Sequence, residues 1–369
     1  METARERIRT AISHVQPEMT PVNVMGFEDL PPWLEHFGVR DYAELCRALG
    51  TDVFLDAPPI YRGPAIEPGL DIWGAAYSWT GFAGAGYSAE RGGFPLARLE
   101  SVRAIESYCW PKPEDFDYSV VGPVLSAVPP DQPLWVRPLY IFPHDDPDKT
   151  VSARARRAEW LPVLCTLFNL FGMEETLTSL LAAPARIEAA LDRIAQMILG
   201  FSERMIDAAP KAADVFWFGD DFASQQGMLL SPELWRRFLK PVYEKIFGLA
   251  KRRGMKVWFH SCGTFRAVLP DLIDIGMDIW ETVQAHLPGN DPVELKREYG
   301  RDITFYGGIN SQSTLPHGTT DQVRAEVRER VRVLGKGGGY ICSSDHAILP
   351  GVPFENVAAM VDEARKTRA

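Results

Sequence analysis

Eight short apolar runs, rich in β-branched and aromatic residues, recur along the chain and are separated by segments with helical periodicity. They lie at residues 21–24, 52–55, 134–139, 215–218, 256–260, 278–283, 303–306 and 339–342. Strands that alternate with helices predict an α/β fold with a parallel sheet, and eight of them favour a (β/α)8 TIM barrel. The alternative is an open doubly wound sheet, but no Gly-x-Gly-x-x-Gly motif follows an early run.

Residues 56–133 interrupt this alternation and form an insertion after the second predicted strand. They are rich in Pro, Gly and aromatic residues, for example Pro58-Pro59 and Trp73-Gly74. Such a long segment commonly covers an active site or mediates assembly, and the alternative is a surface excursion with its own small antiparallel sheet. We expect one domain over residues 1–369 that includes this insertion.

Charge and composition exclude several classes of protein. The formal net charge is −10, and no block of Lys and Arg forms a phosphate-binding stripe, so we expect no nucleic acid partner. No run reaches the roughly 18 apolar residues that span a bilayer. The first residues of the chain are charged and lack the pattern of a secretory signal. We therefore expect a cytoplasmic protein without membrane contact. The five cysteines are widely scattered, which indicates thiols or metal ligands and argues against a disulfide framework.

The tripeptide His260-Ser261-Cys262 ends the fifth apolar run. Side chains two residues apart on a strand point to the same side, so an imidazole and a thiol converge at a predicted strand end. Gly263 follows and permits a sharp turn or the close approach of a ligand. His and Cys suit zinc, and in a barrel the carboxyl ends of the strands hold the active site.

A catalytic zinc site needs three protein ligands and one open position. Cys342 and His346 both fall near the end of the last predicted strand. The ligand set is therefore His260, Cys262 and Cys342, or else His260, Cys262 and His346. The residue types leave both sets open, and for Cys342 the alternative is a buried strand thiol.

Further polar residues near predicted strand ends are candidates for catalysis and binding. Asp220, in the pair Asp220-Asp221, is a candidate for proton transfer or ligand orientation, with helix capping as the alternative. Glu281 is a candidate metal ligand or hydrogen-bond partner of a metal-bound His. Arg137 directly follows Leu134-Trp135-Val136 in the third run and suits a substrate carboxylate, with an ion pair to a neighbouring helix as the alternative. The candidate cofactor-binding residues are Gln225, Gln284 and Asn310.

Seven short segments spread along the chain are characteristic of one protein superfamily. They are Arg5-Glu6-Arg7, Asp71-Ile72-Trp73-Gly74, Pro95-Leu96-Ala97, Trp110-Pro111-Lys112-Pro113, Leu230-Ser231-Pro232, His260-Ser261-Cys262-Gly263 and Pro353-Phe354-Glu355-Asn356-Val357. On these residues the chain resembles the uroporphyrinogen decarboxylase superfamily, and within it the zinc-dependent, corrinoid-linked methyltransferases of the methylcobamide:coenzyme M type. The resemblance implies a (β/α)8 barrel and is compatible with a homodimer.

The two branches of this superfamily differ in chemistry. Its decarboxylases typically carry an Arg-rich motif after the first strand, whereas residues 24–29 here contain no arginine. Its methyltransferases carry His-x-Cys followed, much later, by another Cys. Counted back from Pro353-Phe354-Glu355-Asn356, the place of that Cys falls on His346, which we favour as third ligand over Cys342 from a shifted loop.

The resemblance implies a zinc-dependent methyltransferase that moves a methyl group between a corrinoid and a zinc-activated thiol or other small acceptor or donor. The chain has no Asp-x-His-x-x-Gly motif, so we expect the corrinoid from a separate partner protein or free in solution. Two alternatives stay open. One is a cofactor-free decarboxylase of a cyclic or tetrapyrrole-like carboxylic acid, and the other is a non-catalytic protein that binds a corrinoid or another small ligand.

Overall fold

The structure is a computed structural model that describes residues 2–52, 54–67, 70–79, 85–87, 93–141, 158–210 and 213–369. Its strands are β1 (Ile60–Tyr61), β2 (Tyr77–Trp79), β3 (Ala85–Tyr87), β4 (Phe116–Asp117), β5 (Trp135–Val136), β6 (Leu139–Ile141), β7 (Ala158–Trp160), β8 (Val215–Gly219), β9 (Ala223–Ser224), β10 (Gly227–Met228), β11 (Lys256–His260), β12 (Ile279–Val283), β13 (Thr304–Ile309) and β14 (Tyr340–Ser344).

Helices occupy most of the connections between these strands. They are α1 (Ala4–Ile12), α2 (Pro31–Phe37), α3 (Tyr42–Leu49), α4 (Val102–Glu106), α5 (Val121–Ser126), α6 (Leu164–Phe171), α7 (Met173–Ala182), α8 (Pro184–Ala208), α9 (Pro232–Phe238), α10 (Lys240–Arg252), α11 (Leu269–Asp274), α12 (Pro292–Tyr299), α13 (Thr314–His317), α14 (Thr320–Leu334) and α15 (Phe354–Lys366). None of the described helices combines the length and the apolar character that a membrane crossing requires.

A parallel sheet lies at the centre, in the order β14-β13-β12-β11-β8-β5. Isolated parallel bridges add the first two predicted strands, through Val22 to Cys342 and through Leu55 to Leu134. The Asp52 amide also donates to the Val22 carbonyl at 2.7 Å. Backbone hydrogen bonds therefore connect all eight predicted segments in the predicted order, although the regular sheet contains six strands.

One predicted strand and the insertion differ from expectation. The run 134–139 is divided at Pro138, which has no N–H to continue the ladder, so β5 and β6 belong to different sheets. The second sheet has the order β4-β1-β6-β7 and mixes parallel and antiparallel pairs. The insertion thus supplies β1 and β4 to a sheet that it shares with strands outside it.

Helix α1 covers the amino ends of the central strands. Arg5 and Arg9 bind Asp214, which immediately precedes β8, at 3.1 and 2.5 Å. Ile8 and Ile12 point the other way and join the buried cluster inside the ring of strands. The other members of that cluster are Phe54, Trp135, Val215, Trp217, Trp258, Ile279, Tyr306 and Ile341. The amino end of the interior is therefore filled, and polar side chains gather at the carboxyl end.

The outer faces of the strands pack against the helices in a second, larger core. On β14, Ile341 belongs to the inner cluster whereas Tyr340 and Cys342 belong to the outer one. This alternation follows from the two-residue period of a strand, and it decides which side chains can reach the carboxyl-end opening.

Candidate metal centre at the carboxyl ends of the strands

His260 and Cys262 are brought together by the turn that follows β11. Gly263 has φ +89°, and a Cβ atom there would lie 2.4 Å from the Ser224 carbonyl oxygen, so this position requires glycine. The turn is held against the β9–β10 hairpin, because the Thr264 amide donates to the same Ser224 oxygen at 3.1 Å. As a result, Cys262 Sγ lies 3.8 Å from His260 Nε2.

Asp221 completes a group of three potential metal ligands. Its Oδ1 lies 3.7 Å from His260 Nε2 and accepts a 2.8 Å hydrogen bond from the Cys262 amide. The three ligand atoms of Asp221, His260 and Cys262 all lie within 4.8 Å of one another. Zinc–nitrogen and zinc–sulfur bonds at a tetrahedral angle place the two ligand atoms about 3.5 Å apart. The two separations from His260 Nε2 are a few tenths of an ångström longer, so these pairs fit one ion after a small contraction.

His346 approaches the same thiol from the loop after β14. Burial opposes protonation of His346, but its hydrogen bond with Cys262 and the charge of that thiol raise the pKa of the imidazole. For Cys262, burial and Asp221 act to raise the thiol pKa, but hydrogen bonds with His260 and His346 bring it below its ordinary value. Because the thiolate is the metal-binding form, these contacts favour the state of Cys262 that a metal ion needs.

Glu281 lies behind His260 and is buried. Its Oε2 accepts hydrogen bonds from the indole N–H of Trp217, at 2.7 Å, and from that of Trp258. Its Oε1 lies 3.6 Å from His260 Nδ1. Burial acts to raise the pKa of Glu281, but the adjacent His260 imidazole and the charge of Arg137 lower it. An ionised carboxylate at Nδ1 leaves Nε2 directed at Cys262 and Asp221, the arrangement typical of a metal-bound histidine.

Asp220, predicted for proton transfer or ligand orientation, faces away from this group. Its carboxylate accepts hydrogen bonds from the Leu164 amide at 2.7 Å, the Cys165 amide at 3.2 Å and the Tyr243 hydroxyl at 2.6 Å. It therefore caps the start of α6, which is the structural alternative for this residue type. Burial raises the pKa of Asp220 to about 6. The neighbouring Asp221 occupies the position for which Asp220 was the candidate.

Cys342 is not brought together with His260 and Cys262. Its side chain lies in the outer core between β14 and the helices, and burial raises the pKa of the thiol to about 12. This placement matches the buried strand thiol that was the alternative for Cys342. Of the two candidates for third ligand, His346 is the one that influences the pKa of the Cys262 thiol, although it lies outside the group of three ligand atoms that are within 4.8 Å of one another.

Arg137 lies close to the group in a stacked and ion-paired environment. Its guanidinium carbon is 4.3 Å from the centre of the Trp217 ring and 4.6 Å from that of Trp135. Its Nη1 is 3.3 Å from Asp56 Oδ2. Arg137 thus contributes positive charge near Glu281. Its pairing with Asp56 neutralises part of the positive charge that would attract a substrate carboxylate.

The three residues predicted to bind a cofactor do not form one site. Gln225 is exposed at the tip of the β9–β10 hairpin. Gln284 is buried, and its side-chain oxygen accepts a 2.7 Å hydrogen bond from the Gly263 amide, which supports the Cys262 turn. Asn310 caps its own turn by accepting from the amides of Gln312 and Ser313, at 2.8 and 2.9 Å.

Comparisons with known proteins agree with this architecture. Residues 165–367 match the family model described as uroporphyrinogen decarboxylase (URO-D). The methylcobamide:CoM methyltransferase MtaA of Methanosarcina barkeri is 30% identical over 174 residues, which cover 47% of each chain. The methylated-thiol–coenzyme M methyltransferase of Methanosarcina mazei is 25% identical over 68% of this chain and 71% of its own. A uroporphyrinogen decarboxylase of Anaeromyxobacter sp. is 28% identical over 52% of this chain and 51% of its own.

The solved structure of a methyltransferase from Methanosarcina mazei aligns with a TM-score of 0.65 at 19% identity, over 99% of both chains. This likeness confirms the α/β barrel architecture. The chain spans about half the length of the MtaA protein and of the Anaeromyxobacter decarboxylase that it matches. Because the family model covers more than half of the residues, the chain belongs to the uroporphyrinogen decarboxylase (URO-D) family.

Proposed function

We propose that the protein is a zinc-dependent methyltransferase that moves a methyl group between a corrinoid and a small acceptor or donor bound beside Cys262. The observation that carries the proposal is the convergence of His260, Cys262 and Asp221 at the strand ends, with His346 on the same thiol. Two relatives that are named as methyltransferases support the same reaction class.

The donor set fits zinc. One thiolate, one imidazole nitrogen and a third donor, either the Asp221 carboxylate or the His346 imidazole, are ligand types that zinc takes in proteins, and three of them leave one tetrahedral position open. When bound, zinc would lower the pKa of a thiol or hydroxyl in the remaining position, so that it reacts as an anion at neutral pH. His260 and Cys262 would hold the ion, and Glu281 would keep His260 Nε2 available to it.

The donor set also bears on the acceptor. By the resemblance, His346 stands where the methyltransferase branch has a second cysteine. With His260, Cys262 and His346 as the three ligands, the site carries one negative charge less than a two-thiolate site, and the ion is a stronger Lewis acid. We therefore propose a site that accepts hydroxyl compounds as well as thiols.

The methyl donor in this proposal is a corrinoid carried by a separate protein or free in solution. Asp221 lies beside His260 and Cys262, and Arg137 is paired with Asp56. These charged groups suit a small substrate within the ring of strands. A cytoplasmic location and a homodimer stay predictions.

Metal analysis of protein purified anaerobically without added zinc tests the proposal. We expect about one zinc ion per chain in the parent protein and a large loss in the His260→Ala, Cys262→Ser and His346→Ala variants. Cys342→Ser is the matched control, because that thiol lies in the outer core, and it should retain the metal. A parent protein with almost no metal would refute the proposal.

A second assay follows the reaction itself. The absorbance of methylcobalamin incubated with a small thiol or alcohol should change as the methyl group is lost, and a chelator should stop this change. The decarboxylase alternative predicts instead that carbon dioxide is released from a cyclic carboxylic acid whether or not a chelator is present. A non-catalytic protein would bind a corrinoid and turn over neither substrate.

A further inference from the structure

A second histidine at the carboxyl ends of the strands has a buried carboxylate as its partner. His286 follows β12, and its Nδ1 lies 3.3 Å from Asp345 Oδ2. Asp345 is fully buried, and its other oxygen accepts from the Ser311 hydroxyl at 2.5 Å and from the Ser311 amide at 3.0 Å. The Ser311 contacts fix the carboxylate in place, with its second oxygen buried and directed toward the His286 imidazole.

Two short connections tie this pair to the metal centre. Asp345 precedes His346, whose imidazole and the Cys262 thiol influence each other's pKa. On the other side, Gln284 lies two residues before His286 and binds the Gly263 amide, next to Cys262. His286 and Cys262 therefore follow the carboxyl ends of the neighbouring parallel strands β12 and β11.

The pair has the features of an acid–base group. The Nδ1 side of the imidazole faces a carboxylate, which favours the tautomer with a proton on Nδ1 and a free lone pair on Nε2. The His286 side chain is 27% exposed, so Nε2 can exchange a proton with a small ligand or with water. By contrast, Glu281 is engaged by two indoles and His260, and Asp221 is held by the Cys262 amide.

We propose that His286, oriented by Asp345, takes the proton that the acceptor loses when it binds beside Cys262. This role rests on the proposed methyltransferase function. In this step the S–H or O–H bond of the acceptor breaks, its electron pair stays on the sulfur or oxygen, and an N–H bond forms at His286 Nε2. The proton then passes to water from the exposed edge of the ring. For a methylated donor the direction reverses, and His286 returns a proton to the demethylated product.

The test uses protein in which cobalt(II) replaces zinc, with 2-mercaptoethanol as the probe. Binding of the thiolate to cobalt gives a charge-transfer band whose amplitude reports occupancy and whose rate reports deprotonation. His286→Gln keeps a hydrogen-bond donor for Asp345 but has no nitrogen that takes up a proton at neutral pH. We expect the same amplitude as in the parent protein and a rate lower by about 10²-fold or more. In His286→Ala, added imidazole should restore part of the rate, which a purely structural role would not allow.

His317→Gln is the matched control, because His317 is exposed at the end of α13. A His286→Gln rate within twofold of the parent and of this control would overturn the role of His286. Loss of bound cobalt in His286→Gln would overturn it as well, because the residue would then support the metal and not the proton. If the parent protein shows bound cobalt but no thiolate band, the proposed function fails for thiols and this role fails with it.

Discussion

Replacement of Glu281 by glutamine changes the charge behind His260 while it preserves the shape of the side chain. In the parent protein both carboxylate oxygens accept: Oε2 takes two indole N–H groups, and Oε1 faces His260 Nδ1 at 3.6 Å. An amide has one accepting oxygen. If that oxygen stays with the indoles, the NH2 group faces Nδ1 and favours the tautomer that carries its proton on Nε2. That tautomer cannot bind a metal through Nε2.

The alternative amide orientation is also unfavourable. With its oxygen toward His260, the NH2 group would face two indole N–H donors, and two buried donors would lose their acceptor at a cost of about 1–3 kcal/mol each. We therefore expect Glu281→Gln to weaken zinc binding by about 10- to 100-fold, which corresponds to about 1.4–2.7 kcal/mol.

Competition between apoprotein and a chromophoric chelator measures this affinity. Asp220→Asn is the matched control, because Asp220 is an equally buried carboxylate with three hydrogen-bond donors but faces α6. It should reduce the melting temperature and leave the zinc affinity unchanged. A Glu281→Gln affinity within threefold of the parent, or equal losses in the two variants, would contradict the orienting role of Glu281.

Two further predictions concern stability. The pKa of Asp220 rises from the ordinary 3.8 to about 6 on folding, so the folded state holds this proton more tightly than the unfolded state. The free energy of unfolding of the parent should therefore fall by about 2 kcal/mol relative to Asp220→Asn as the pH rises from 4 to 6. A difference between the two unfolding free energies that stays constant over this pH range in urea denaturation would exclude the linkage. Gly263→Ala introduces a Cβ against Ser224 at positive φ, and we expect a loss of about 2–4 kcal/mol in thermal unfolding together with loss of metal. Gly227→Ala, also at positive φ but with open space, should lose less, and equal losses would show that crowding at Ser224 is unimportant.

The order of the central segments could be predicted from the sequence because each apolar run is bounded by polar or glycine-rich turns. The direction of individual side chains could not. Every residue of β8 is buried, on whichever face it lies, so nothing in its composition shows that Trp217 points inward. If the inward direction of Trp217 were known, the two-residue period of a strand would place Asp221, and not Asp220, on the same inner face.

The same limitation applies at the last strand. Residues Tyr340 to Ser344 are all buried, so the sequence could not show that Cys342 faces the helices. The convergence of His260 and Cys262, in contrast, was expected from their spacing and a strand end. The pairing of His286 with Asp345 had no local signal, because these residues follow different strands and meet only when the sheet forms.

Helix α1 has a consequence for the order of events in the proposed reaction. Because Ile8 and Ile12 fill the amino end of the interior, the candidate metal site is approached from the carboxyl end of the strands. A thiol or alcohol and a corrinoid, which is many times larger, must then use the same entrance. While the corrinoid carrier is bound, it blocks this entrance. The small reactant therefore has to bind before the carrier, and the methylated product can leave only after the carrier has dissociated. Initial-rate kinetics should accordingly show compulsory-order addition.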